Sequence, residues 1–217
     1  MTLVVAGCVH YGAEFVPASG AQEVIGAKNT AVSTDAGVTV AVSGKRWSGH
    51  PDDLGALVTP MRVDITNRSG QPVRLSHDMF ALVGAKGVTE QALSPFDIQR
   101  PGSGGYSGGP YYGFGGGYWG GYWGGWPGWG WGGYGGPWGY GGYWGPYYYY
   151  REPLPSHDMI QRALPEGVLA DGGTASGYVY FPYVGEEAGQ VQFKADVVSA
   201  KTDQQVAEIT VPLVAKG

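Results

Sequence analysis

The chain has 217 residues, with 13 Lys and Arg against 18 Asp and Glu, for a formal charge of −5. That balance argues against a nucleic-acid partner, which calls for a basic stripe to meet phosphates. Residues 102–150 hold 23 Gly, 12 Tyr, 7 Trp, 4 Pro, 2 Ser and 1 Phe, without one charged or aliphatic side chain, so the remainder has ordinary globular composition and suffices for one domain with a core.

At the start of the chain, Val5-Ala6-Gly7-Cys8 places the single cysteine behind small residues. A lone cysteine makes no intramolecular disulfide. The four residues resemble the lipobox of bacterial lipoproteins, which implies a diacylglycerol anchor on Cys8 and export to the cell envelope. The plain alternative is a small apolar residue near a chain terminus. Val9 stands where an Asp would resemble the inner-membrane retention signal of Gram-negative lipoproteins, and this favours the outer membrane. Residues 1–8 are thus expected to end an export signal, and residues 9–29, which lack a sustained period, to form a tether.

From residue 30 onward the pattern is β. Val38, Val40 and Val42 alternate with Thr39, Ala41 and Ser43, and Met61, Val63 and Ile65 alternate with Arg62, Asp64 and Thr66. The sequence Asn67-Arg68-Ser69-Gly70-Gln71-Pro72 reads as a hairpin turn before Val73-Arg74-Leu75, with Gly70 free to take positive φ. After the aromatic stretch, Ser156 can cap a short helix running to Leu164 and stopped by Pro165-Glu166-Gly167. Val191, Phe193, Ala195 and Val197 alternate again, as do Ala207, Ile209, Val211 and Leu213. Ala31–Ser33, Val38–Ser43, Val58–Thr66, Val73–Leu75 with Phe80–Val83, Ala175–Phe181, Val191–Val198 and Val206–Val214 give seven strands. Period two with one polar face predicts an all-β, immunoglobulin-like antiparallel sandwich, built from residues 30–101 and 152–217.

The run Arg62-Val63-Asp64-Ile65-Thr66-Asn67, followed by Ser69-Gly70-Gln71-Pro72 and Phe80-Ala81-Leu82, resembles the telokin-like immunoglobulin-fold domains of bacterial lipoproteins. Leu169-Ala170-Asp171-Gly172-Gly173-Thr174 through Tyr178-Val179-Tyr180-Phe181 is similar to their glycine-led strand entry, with Asp171 where that pattern has Pro. The resemblance covers some of the chain outside the aromatic stretch and implies an extracytoplasmic binding or structural module. It brings no catalytic residues.

The Gly/Tyr/Trp-rich insertion, residues 102–151, repeats two aromatics and two glycines through Tyr118-Trp119-Gly120-Gly121-Tyr122-Trp123-Gly124-Gly125-Trp126. Paired glycines each cost about 1 kcal/mol against alanine in a helix, and the composition excludes a transmembrane span. What remains is a backbone carrying Trp119, Trp123, Trp126, Trp129, Trp131, Trp138 and Trp144 among its rings. Each ring offers an apolar face and each Trp or Tyr a donor at its edge. Such groups suit lipid headgroups, the flat faces of cell-wall polysaccharide, or further copies of the same segment. A low-complexity loop with no specific partner is the alternative. Nucleic acid is the least suited partner, since the segment has no cation for phosphates.

Chemistry-bearing patterns are few. No hydrolase elbow, zinc helix, phosphate loop or dinucleotide fingerprint is present, and no cofactor is implied. Ser76-His77-Asp78-Met79 and Ser156-His157-Asp158-Met159 repeat one tetrapeptide, so His77 and His157 could share a divalent metal with two carboxylates. Capping and turn formation explain the same residues. Asp52-Asp53 and Glu186-Glu187 read as solvated loop acids, and Trp47 as a cap on the core. The expected function is therefore a non-enzymatic envelope lipoprotein, anchored through Cys8, whose aromatic insertion adheres or self-associates. The alternative is a metal-dependent envelope enzyme using His77 and His157.

Overall fold

The computed structural model describes residues 13–27, 29–84, 87–100 and 153–216. They belong to one unit made of Met1–Ser103 and Glu152–Gly217. Cys8 and the seven tryptophans between 119 and 144 lie outside the described residues.

The described chain forms twelve strands in two antiparallel sheets, with one short helix. It is an all-β sandwich. In order these are β1 (Glu14–Pro17), β2 (Gln22–Glu23), β3 (Thr30–Asp35), β4 (Val38–Ser43), β5 (Val58–Asn67), β6 (Val73–Leu75), β7 (Phe80–Gly84) and β8 (Thr89–Gln91). After the aromatic stretch come α1 (His157–Arg162), β9 (Gly167–Leu169), β10 (Thr174–Pro182), β11 (Gln190–Ser199) and β12 (Gln205–Lys216). The first sheet runs β1-β12-β11; beyond β11, Val191–Ala195 pair with β7, which carries β8, while Val198 and Ser199 pair with β6, which carries β9. The second runs β10-β5-β4-β3-β2.

The alternating strands bury the side chains their pattern assigns to the core. Val38, Val40 and Val42 of β4 stand beside Met61, Val63 and Ile65 of the neighbouring β5 on the inner face of one sheet, in one core with Phe193, Val197, Ile209 and Val211 of the other sheet, and all are essentially inaccessible. Each such side chain contributes about 1.5–3 kcal/mol by leaving water. The Asp35-Ala36-Gly37 turn joins β3 to β4 with positive φ at Ala36 and Gly37, the geometry that matches strand twist in a two-residue hairpin.

Three expectations need correction. Within the expected tether, 9–29, residues 14–17 and 22–23 are strands: β1 pairs with β12, β2 pairs with β3, and Phe15 is buried in the core. A strand of four residues is too short to show a period. Second, Asn67–Pro72 is no hairpin, because β5 and β6 lie in different sheets. It is a crossover, and Asn67, fully buried, holds it. Its Nδ2 donates to the carbonyls of Gln71 (2.8 Å) and Leu169 (3.1 Å), while its Oδ1 accepts from the Ser69 amide (3.1 Å) and hydroxyl (2.7 Å). Third, Val73–Leu75 and Phe80–Val83 are two strands, separated by the 3-10 turn His77–Met79.

Candidate functional site

The two segments that lead into and out of residues 101–152 meet in a second hydrophobic cluster, distinct from the core between the sheets. Trp47, Leu54, Val58, Ile98, Met159 and Tyr180 are its buried members, and Leu93, Leu154 and Ala163 pack against it from the two arms. The platform is the outer edge of β10, the last strand of its sheet. An exposed edge is a hazard for unwanted pairing, and here both arms cover it.

On the outgoing arm the Leu93 amide donates to the Tyr180 carbonyl at 2.7 Å. Ser94 Oγ accepts from the Phe96 amide at 3.3 Å and starts a 3-10 turn over Pro95–Asp97, which turns Ile98 inward. Arg100 then makes a two-pronged bond to Asp53, at 2.7 and 2.8 Å, with its own side chain only 9% exposed. Two parallel charge-assisted bonds fix orientation as well as distance. Asp53, expected as a solvated loop acid, is therefore an anchor, and its partner is the last described residue before the aromatic stretch.

The returning arm is tied to the same loop. Ser156 Oγ donates to the His50 carbonyl (2.5 Å) and accepts from the Met159 amide (3.2 Å), capping α1 as its sequence predicts. Asp158 Oδ2 accepts from the His50 amide at 2.9 Å. Past α1, the Leu164 amide donates to the Tyr178 carbonyl at 2.9 Å. Gly177 admits this approach: a Cβ there would stand 2.4 Å from the Leu164 backbone, closer than any packed pair allows.

Trp47 sits between the arms. Its Nε1 donates to the Pro51 carbonyl at 2.9 Å, and its ring meets Tyr178 and Tyr180 edge-on at 4.8 and 6.2 Å. The Arg162 guanidinium lies 5.6 Å from the ring centre, within cation–π range. Tyr180 is buried, with its hydroxyl donating to the Met159 carbonyl at 3.0 Å.

Two groups make this junction sensitive to pH. The His50 amide, helped by the Arg162 guanidinium, holds the Asp158 carboxyl below its ordinary value. Burial, and then the neighbouring Tyr178, push the Tyr180 hydroxyl above its own. Asp158 thus adds stability that is complete above about pH 3.9 and lost as the pH falls below it, whereas Tyr180 adds stability complete below about pH 10 and lost as the pH rises beyond. Thermal unfolding midpoints followed from about pH 3 to 11 are expected to fall at both ends, and Asp158→Asn is expected to flatten the acid limb.

The histidine pair has separate attachments. His77 Nδ1 lies 2.7 Å from Glu166 Oε1, which also accepts from the His77 amide at 2.9 Å. The His157 ring contacts Gln161 at 3.4 Å on the exposed face of α1. Among the described residues no group of three or more His, Cys, Asp and Glu is placed to share a metal ion. Glu186 and Glu187 start a 3-10 turn before β11. No helix among the described residues is long and apolar enough to cross a membrane.

Sequence reasoning placed the Ser156 cap, but it read Trp47 as a cap on the main core, where the structure puts it in the second cluster, and it missed the Asp53–Arg100 bond and the cluster around Met159 and Tyr180. Arg100 was visible as the last cation before the stretch, which was the available signal. No protein family, curated protein or solved structure matches this chain.

Proposed function

We propose that this chain is a non-enzymatic cell-envelope lipoprotein whose β-sandwich displays the Gly/Tyr/Trp segment as an adhesive element. The observation that carries the reading is the root described above. Both arms flanking a 49-residue stretch free of charge and aliphatic side chains are fastened to one edge strand by a core of their own, an arrangement suited to a segment that bears load. Its rings favour lipid headgroups, polysaccharide faces or other copies of the segment, because all three offer apolar faces beside hydrogen-bond acceptors. A lipid on Cys8, in the telokin-like lipoprotein reading, brings those targets within reach; a mature lipoprotein's several acyl chains give stable attachment where one would be marginal.

Replacing Trp119, Trp123, Trp126, Trp129, Trp131, Trp138 and Trp144 with Ser is the test. Co-sedimentation with anionic and zwitterionic vesicles and with insoluble cell-wall polysaccharide, and light scattering across a concentration series, are expected to show at least one interaction that the substituted protein loses. Equal behaviour of the two proteins in every assay rules out adhesion by these rings. Incorporation of a labelled fatty acid that Cys8→Ser abolishes is the expected result for the anchor.

A further inference from the structure

A second feature lies where β10 of one sheet crosses to β11 of the other. An open groove of about 530 Å³ is walled by Leu82, Val88, Tyr183 and Val191, with Glu90 and Glu187 among its lining residues. Val88 and Tyr183, which line it, are two of the large apolar side chains left in solvent, at 58% and 43% exposure. No Lys, Arg or His lines the groove among the described residues, and neither carboxylate has a cationic partner among the ion pairs of the described chain.

One wall carries Glu90 of β8, with Val88 just before that strand, and β8 is an edge strand whose one pairing partner among the described residues is β7. Val88 accepts from the Gly84 amide and Ala92 donates to the Phe80 carbonyl. Main-chain groups alternate in direction along an antiparallel strand, so those of Thr89 and Gln91 point away from β7 and are open to pairing. An unpaired edge beside an apolar trough with acidic lining is the layout that takes an extended peptide: the edge supplies main-chain bonds and the trough reads alternate side chains.

We propose that this groove and the β8 edge bind an extended segment of a partner protein in which basic and aliphatic residues alternate. Aliphatic side chains would enter against Tyr183, Val88 and Leu82, and the cations would meet Glu90 and Glu187. Charge selects the partner, because an acidic strand of the same shape would face two carboxylates and a chain of net charge −5.

The test uses the full chain and a fluorescein-labelled octapeptide of alternating Lys and Val, read by anisotropy, with the alternating Glu and Val octapeptide as comparison. Saturable binding of the basic peptide is expected, weakened about tenfold by Tyr183→Ala and about threefold or more by the Glu90→Gln, Glu187→Gln pair. Thr89→Pro removes the outward amide and is expected to weaken it comparably while the unfolding midpoint holds. Absence of saturable binding at about 1 mM peptide, equal binding of the acidic peptide, or retention of affinity in both the Tyr183 and the paired glutamate variants overturns the proposal. The last outcome would place the attraction elsewhere on the acidic chain and would leave the role of the aromatic segment untouched.

Discussion

Trp47→Ala is expected to lower the unfolding free energy by about 3–5 kcal/mol, the range for truncating a large buried aromatic. The side chain is 6% exposed and fills the space among Leu54, Val58, Met159 and Tyr180. Its removal also strands the Pro51 carbonyl, which accepts from the indole, and takes away the ring that faces Tyr178 and Arg162. The loss is centred on the root of the aromatic segment, so the Leu93 and Leu164 amides, both bonded to β10, are expected to exchange with solvent faster than those of β4 and β5. Urea unfolding gives the first quantity and hydrogen exchange the second. A cost below about 1 kcal/mol, in the range of ordinary surface substitutions, would mean that the second cluster is not a packed core.

Asn67→Ala is the second large effect, at about 2–4 kcal/mol, although no apolar packing is removed. The side chain uses both donors and accepts twice, bridging the β5–β6 crossover to the Leu169 carbonyl on the strand beside β6. Removing it leaves the Leu169 carbonyl without that donor and the Ser69 amide without that acceptor, while the exposed Gln71 carbonyl keeps the Ser69 hydroxyl; each buried group left unsatisfied costs about 1–3 kcal/mol. Asn67→Asp is no rescue, since a carboxylate cannot donate to two carbonyls and would itself be buried. Denaturant midpoints of the two variants close together, both well below that of the parent, are the expected outcome. Parental stability in either would show that the crossover is held by other contacts.

These positions also mark where the sequence was readable and where it was not. Strands β4, β5, β11 and β12 are six to twelve residues long and one-sided, so their alternation carries both type and facing. Strands β1, β2, β8 and β9, at two to four residues, offer no period, and Phe15 of β1 was legible at most as an isolated aromatic. Asn67 reads as a turn residue in any local view. Its bond to Leu169, 102 positions away, exists only once the sheets are assembled. The second cluster escaped for the same reason, because Trp47, Ile98, Met159 and Tyr180 belong to four separate segments with no common spacing. Ser156 was legible because a cap is satisfied within three residues of itself. For residues 102–150, which lie outside the described residues, composition alone carries the expectation of adhesion, since it places twenty rings on a glycine-rich chain.

The proposed function rests on a split between those two kinds of sequence: a sandwich expected to fold on its own contacts, and a segment proposed to adhere. Replacing residues 102–150 with a short Gly/Ser linker puts both halves in one experiment. The expected protein unfolds in one cooperative transition with a free energy equal to that of the parent or up to about 2 kcal/mol above it, since each halving of loop length lowers the closure cost by only about 0.6 kcal/mol, and it no longer associates with vesicles, cell-wall polysaccharide or itself. A linker protein that fails to fold cooperatively, or one that folds and associates as the full chain does, contradicts the account.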